Sequence, residues 1–216
     1  MEKLQALFGL GWYTKLKPFL DSEEFREIGR SLRKSVDVTP AFDRMFKAFE
    51  LCPYEKLKVV ILTNNSYEKE MHGVALSGKG KYDVLSQVML QCKEFHDFIN
   101  LDFNTTLAKW SRQGVLMLNC DLSSIKGQTR VHLDLWEPFI EYIMKMLAEY
   151  NTGIIYVLMG EQAMKFRPLI NLKANDIVPL EHPVIAVREK RPWRDMDMFN
   201  YVNRVSNLIN NEKIKW

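Results

Sequence analysis

The sequence has few cysteines, no long hydrophobic run and almost no excess of charge. Its three cysteines (Cys52, Cys92 and Cys120) show no CxxC spacing and cannot all pair. We therefore expect reduced thiols in an intracellular, cytoplasmic or nuclear compartment rather than a disulfide scaffold. No apolar run approaches the ~20 residues of a membrane span, so neither a signal peptide nor a membrane partner is predicted. The net charge of +3 permits a polyanionic partner without requiring one.

The overall composition is that of a globular protein with a full core. Hydrophobic residues make up 47% and charged residues 26% of the 216 positions, which excludes disordered and collagen-like classes. No internal repeat and no Gly/Ser-rich or Pro-rich linker divides the chain. The sequence therefore predicts one domain spanning residues 1–216.

Four short apolar runs, rich in Val, Ile and Leu, predict strands that are buried on both faces. They cover residues 57–62, 114–118, 153–159 and 176–180. Helical patterns lie between or after them, including apolar stripes at 136–150 and 198–209, with weaker ones at 41–51, 83–99 and 161–170. This alternation predicts an α/β fold: a three-layer αβα sandwich around a four-stranded, mainly parallel sheet.

In such a sheet, functional groups collect beyond the carboxyl ends of the strands. Polar or glycine residues follow each predicted strand, at 63–68, Asn119, Gly160 and 182–183. These four positions are therefore the first candidates for a functional site.

Motifs in a fixed order run through nearly the whole chain. They are VVIL (59–62), HGVALS (72–77), LAKWSRQGVLMLN (107–119), WEPF (136–139), VLMGEQAMK (157–165), HP (182–183) and IKW (214–216). In this order and spacing the sequence resembles the family 1 uracil-DNA glycosylases. The resemblance implies the αβα fold and cleavage of the bond between uracil and deoxyribose, after the nucleotide is flipped out of the DNA.

Several base-contacting positions of that family are matched here. By resemblance, His182 donates a hydrogen bond to the uracil O2, and Asn119 reads the edge of the base. Tyr67 excludes the methyl group of thymine. Asn64 stands at the glutamine of the family's GQDPYH motif and is a further base-binding candidate.

Other family positions have changed. The catalytic aspartate is replaced by Asn65, the base-stacking phenylalanine by Leu76 and the wedge leucine that enters the DNA by Ala186. With His182, Asn65 remains a catalytic candidate, because an amide can orient a water molecule. It cannot stabilise a cationic sugar by its own charge, and a leucine gives up base stacking of ~1–3 kcal/mol. These changes favour impaired or lost excision.

The DNA-binding candidates are Ser77, which keeps a phosphate-contacting hydroxyl, Ala186 at the wedge position, and a basic run after the HP motif. That run contains Arg188, Lys190, Arg191 and Arg194 beside an aromatic residue, a composition typical of nucleic-acid surfaces. Three acidic residues interrupt it, as expected for a solvated loop. Cys92 and His96 have the spacing of two helical ligands but lack a second pair, so no metal site and no cofactor is predicted.

Three functions remain open from the sequence. The first is a glycosylase-like protein with impaired or lost excision that binds single- or double-stranded DNA as a replication or repair accessory factor, a pseudoenzyme with a replication or repair protein as its partner. Viral homologues of the family that support a replication polymerase are the precedent. The second is an active glycosylase for uracil or a modified base that uses Asn65 to place water. The third is a protein-interaction module that no longer binds DNA.

Overall fold

The computed structural model describes residues 2–64, 72–77, 88, 106–193, 197–210 and 212–216. Its helices are α1 (Glu2–Leu20), α2 (Glu23–Lys34), α3 (Phe42–Met45), α4 (Lys47–Leu51), α5 (Ala108–Ser111), α6 (Leu133–Tyr150), α7 (Gly160–Met164), α8 (Pro183–Arg188) and α9 (Met198–Asn210). Its strands are β1 (Val38–Thr39), β2 (Val59–Thr63), β3 (Val115–Asn119), β4 (Ser124–Ile125), β5 (Ile155–Met159) and β6 (Asp176–Leu180). Short 3-10 helices cover Tyr54–Lys56 and Arg167–Leu169.

The main sheet contains four parallel strands in the order β3-β2-β5-β6. Strands β2, β3 and β5 are buried along their whole length, which agrees with their continuous apolar sequences. A separate antiparallel pair joins β1 to β4. The predicted α/β fold with a four-stranded parallel sheet is confirmed.

Helices cover both faces of this sheet. Alternate residues of β2 separate the two cores: Val60 and Leu62 pack into the first, Val59 and Ile61 into the second. Helices α1 and α6 supply much of the first core, while α5, α8 and α9 contribute to the second. The arrangement is the predicted sandwich of three layers.

Some helices differ from the sequence prediction. The predicted helix at 161–170 is the short helix α7 followed by a 3-10 turn, and the one at 41–51 is divided into α3 and α4. Helices α1 and α2 were not predicted. The prediction at 83–99 lies outside the described residues, except for position 88.

The two outer strands of the sheet are protected differently. Along β3, the segment 72–77 runs beside the edge, and the Ala75 N–H donates to the Met117 carbonyl at 3.0 Å. Strand β6 carries Pro179 in register with Leu158. In the described part of the chain, no helix is long and apolar enough to cross a membrane.

Candidate functional site

Three polar residues lie at the carboxyl ends of the parallel strands. Asn64 directly follows β2, Asn119 is the last residue of β3, and His182 follows β6 by two residues. The register pairs Thr63 with Asn119, and the His182 Nε2 lies 3.2 Å from the Asn64 carbonyl oxygen. The structure therefore brings these predicted site residues to one edge of the sheet, with Asn64 in the middle.

The approach of His182 to Asn64 depends on Gly160, which directly follows β5. Gly160 has a φ of +82°, a conformation that side chains disfavour. A Cβ atom there would lie 3.1 Å from the His182 Cβ and 3.6 Å from the Asn64 Oδ1. A glycine at this position thus leaves room for His182 and Asn64 to meet.

Backbone contacts fix the tautomer of His182. The Val184 N–H donates to Nδ1 at 3.1 Å, so in the neutral ring the proton resides on Nε2. That Nε2–H then donates to the Asn64 carbonyl. The imidazole presents a fixed N–H donor at the strand ends.

Burial keeps this imidazole uncharged. His182 is 3% exposed, and its burial lowers the pKa to about 4. The Asn64 carbonyl opposes this shift, and the positive charges of Arg130 and Arg188 add to it. At neutral pH His182 is therefore a hydrogen-bond donor without a charge.

Two further polar side chains, Asn119 and Asp121, lie at the end of β3 and in the segment that follows it. Asn119 is 9% exposed. The Cys120 N–H donates to the Thr63 carbonyl at 2.6 Å, which continues the pairing of the strands past their ends. Asp121, the next residue, is completely buried. The chain thus carries an amide that can donate and accept at the end of β3, and a buried carboxyl group two residues further on.

The family assignment follows from comparison with known proteins. The family described as "Uracil DNA glycosylase superfamily" matches residues 49–204. The chain belongs to that superfamily. It is 30% identical over 178 residues to uracil-DNA glycosylases of Streptococcus pyogenes serotypes M6 and M49, covering 80% of this chain and 82% of each relative.

Solved glycosylase structures share the fold. The crystal structure of mimivirus uracil-DNA glycosylase covers 100% of this chain and 89% of its own, at 20% identity and a TM-score of 0.86. The uracil-DNA glycosylase of Nitratifractor salsuginis covers 93% of this chain and 94% of its own, at 20% identity and a TM-score of 0.64. The superfamily architecture is thus retained across the described residues.

The two positions that the sequence resemblance assigns to base stacking and to the DNA wedge are buried in the second core. Leu76 has a φ of +62° and is 4% exposed. Ala186 lies in α8 and is completely buried. Beside Leu76, the Ser77 hydroxyl donates to the Val74 carbonyl at 2.7 Å. In this arrangement the Ala186 methyl group faces protein, and the Ser77 hydroxyl forms part of a local turn.

The predicted basic run is divided in the structure. Arg191 forms ion pairs with Glu181 at 2.7 Å and with Glu189 at 2.6 Å. Arg188 and Lys190 are exposed, and neither has an ion-pair partner within the described ranges. Arg194 lies outside the described residues, as do Asn65 and Tyr67.

Sequence reasoning missed one basic residue at the site. Arg130 is exposed in the loop between β4 and α6, and its charge lowers the pKa of His182. No motif marks this position, and only the path of the loop places it near the strand ends. Within the described residues, no group of three His, Cys, Asp or Glu side chains could hold a metal ion.

Proposed function

We propose that this chain binds DNA at the carboxyl ends of its sheet and holds an extruded pyrimidine there, with strongly reduced excision of uracil. The observation that carries the proposal is the neutral His182, whose Nε2–H is fixed at the site by the Val184 backbone. This donor suits a pyrimidine carbonyl oxygen, on which negative charge develops when the glycosidic bond breaks. The uracil-DNA glycosylase relatives support DNA as the ligand.

The polar groups at the site fit the edge of a pyrimidine. The Asn119 amide offers one donor and one acceptor, as the N3–H and O4 of uracil require. In this proposal, a carbonyl oxygen of the base takes the place of the Asn64 carbonyl as the acceptor of the His182 N–H. Both side chains already lie at one edge of the sheet, so base binding needs little rearrangement of the described residues.

The proposed loss of rate rests on residues that contribute to different steps. Asn65 lacks the charge of a carboxylate, and Leu76 lacks an aromatic face for stacking. Ala186 is both short and buried, so it offers no wedge to the DNA stack. Capture of the base and cleavage of its bond are weakened together.

Exposed positive charges supply the DNA backbone contacts in this proposal. Arg188 and Lys190 follow the His182 loop, and Arg130, in the β4–α6 loop, is near enough for its charge to lower the pKa of His182. Phosphate contacts of this kind release counterions and make binding depend on salt. A replication or repair protein as an additional partner remains part of the proposal.

The test measures binding and excision separately. Single- and double-stranded oligonucleotides with uracil, thymine or a stable abasic analogue are titrated over a series of salt concentrations. Single-turnover excision is measured beside the Streptococcus pyogenes glycosylase. We expect salt-dependent binding, a preference for uracil over the abasic analogue, and excision at least about 100-fold slower than that of the relative.

Two results contradict the proposal. Excision as fast as that of the relative shows that the catalytic machinery is intact. Absence of salt-dependent binding to either DNA form removes the DNA-binding function and favours the protein-interaction module instead.

A further inference from the structure

The chain reverses its direction directly after helix α8. This helix is six residues long, and His182 stands at its start as the N-cap. At its other end, Lys190 has a φ of +52°. The Lys190 N–H donates to the Val187 carbonyl at 3.2 Å, and the Arg191 N–H donates to the Ala186 carbonyl at 3.0 Å. This pair of bonds around a left-handed residue ends the helix and turns the chain back towards its start.

Two side chains of the returning segment bind Glu181, the residue before His182. The Arg191 Nη2 donates to both carboxylate oxygens of Glu181 at 2.7 Å. The Trp193 Nε1–H donates to the Glu181 carbonyl oxygen at 3.0 Å. Glu181 is thus held through its side chain and through its backbone. We refer to Glu181, Arg191 and Trp193 as the clasp.

The surroundings of the clasp limit its movement. Trp193 is 1% exposed and packs into the second core, so its indole cannot move without opening that core. The Arg191 Nε donates to the Glu189 Oε2 at 2.6 Å, so two carboxylates hold one guanidinium group. Charge-assisted bonds of this kind are stronger than neutral ones. The donors of Arg191 are therefore directed at carboxylates of the protein.

The position of Glu181 determines where the His182 imidazole lies. Strand β6 ends at Leu180, so Glu181 is the one residue between the sheet and His182. The His182 Nε2 lies 3.2 Å from the Asn64 carbonyl oxygen, which joins the end of β6 to the end of β2. A rotation of the backbone at residue 181 would carry the ring away from Asn64 and towards water. The burial of His182 therefore depends on a fixed Glu181.

We propose that Arg191 is a positioning residue, which acts through Glu181 and together with Trp193 to hold the His182 N–H donor in place for an extruded base. This inference rests on the proposed function of the same site. Arg191 then serves the protein rather than the DNA, although the basic run after the HP motif predicts a contact with phosphate. The two roles make different demands, because a phosphate contact needs positive charge, whereas positioning needs the several donors of a guanidinium group.

The first experiment separates recognition of uracil from DNA binding in general. The affinities of Arg191→Ala and Arg191→Lys are measured for oligonucleotides with an uncleavable 2′-fluorinated deoxyuridine or with an abasic analogue. We expect both variants to bind the uracil oligonucleotide about fivefold more weakly, as for the loss of one hydrogen bond, because lysine cannot replace the guanidinium donors. Affinity for the abasic oligonucleotide should stay within about twofold of the unaltered protein.

The matched control is another arginine that is held by two glutamates. Arg30, on helix α2, pairs with Glu23 and Glu27, and its side chain is 45% exposed, against 41% for Arg191. Helix α2 packs on the first core through Ile28, on the opposite face of the sheet from Trp193. Arg30→Ala should therefore change neither affinity.

The second experiment observes the His182 ring and needs no DNA. The ring is followed by NMR between pH 8 and pH 5, with His182→Gln to assign its signals. In the unaltered protein it should stay neutral over this range, because burial lowers its pKa to about 4. Arg191→Ala releases Glu181, so the ring should become accessible to water, and its pKa should rise towards the ordinary 6.5.

A double variant separates this loss of burial from a simple effect of charge. Arg191→Ala leaves the Glu181 carboxylate without its partner beside the ring, and that charge alone would raise the pKa of His182. Arg191→Ala combined with Glu181→Gln removes both charges. We expect the pKa of His182 to be raised in this double variant as well. Trp193 is left unaltered, because its ring also fills the core.

Separate results overturn the positioning role and the proposed function. Arg191 is a phosphate ligand, and not a positioning residue, if Arg191→Ala weakens binding of both oligonucleotides equally and Arg191→Lys restores it. The positioning role is also wrong if the His182 ring of the double variant stays neutral down to pH 5. Failure of the unaltered protein to prefer the uracil oligonucleotide over its abasic analogue overturns the proposed function, whereas the NMR titration still shows whether the clasp holds His182.

Discussion

Acidification should destabilise this protein through His182 in particular. Its pKa is about 4 in the folded chain, against the ordinary value of 6.5. The difference of about 2.5 units, at 1.36 kcal/mol each, corresponds to about 3 kcal/mol. Because the folded state binds the proton more weakly, this stability is present above pH 6.5 and is lost as the pH falls towards 4. That amount is a large share of the 5–15 kcal/mol typical of a domain.

Urea denaturation at pH 7, 6, 5 and 4 measures this effect. The difference in unfolding free energy between the unaltered protein and His182→Gln should shrink by about 3 kcal/mol over that range. His132→Gln gives a second measurement of the same effect, because burial also lowers the pKa of His132, whose Nδ1 lies 3.0 Å from the Ser123 hydroxyl. A difference that stays constant with pH for His182→Gln shows that burial does not hold His182 neutral, which contradicts the uncharged donor on which the proposed site rests.

Three further predictions concern the surroundings of the site. Arg188→Ala should lower the slope of log binding constant against log salt concentration by about one, because one phosphate contact is lost. Arg191→Ala removes an ion-paired side chain and should change that slope less; equal slopes for the two variants contradict this. Ala186→Leu should lower the unfolding free energy by about 1–3 kcal/mol, because Ala186 is completely buried and a larger side chain must displace its neighbours. Unchanged stability would show that position 186 has room for a leucine. Thr63→Val should raise the unfolding free energy by about 1 kcal/mol in thermal denaturation, because the buried Thr63 hydroxyl has no hydrogen-bond partner among the described residues; a loss of stability contradicts this.

The sheet could be predicted from the sequence because strands buried on both faces need continuous apolar residues. The run at 176–180 coincides with β6, and the run at 57–62 overlaps β2 closely. Helix α1 was missed although Phe8, Trp12 and Leu16 form a buried stripe at helical spacing. Gly9 interrupts that helix with a φ of +72°, and such a break obscures the periodicity in a sequence.

The candidate site was harder to predict than the sheet, because its geometry depends on loops. The rule for parallel sheets indicates Asn119 and His182, since both follow strand ends. The rule gives no information on the ion pairs of Arg191 or on the position of Arg130. Both depend on the paths of two loops, the one after α8 and the one between β4 and α6. The burial of Ala186 likewise depends on helix α8, which begins at Pro183, directly after His182.

The protection of the two outer strands also affects how the protein behaves in concentrated solution. Hydrophobic parallel strands with free edges recruit further strands and lead to aggregation. Here the segment 72–77 occupies the edge of β3, and Pro179 interrupts the row of N–H donors that β6 could offer to a second molecule. The segment that holds Leu76 against the second core therefore also keeps the sheet from extending into a neighbouring copy.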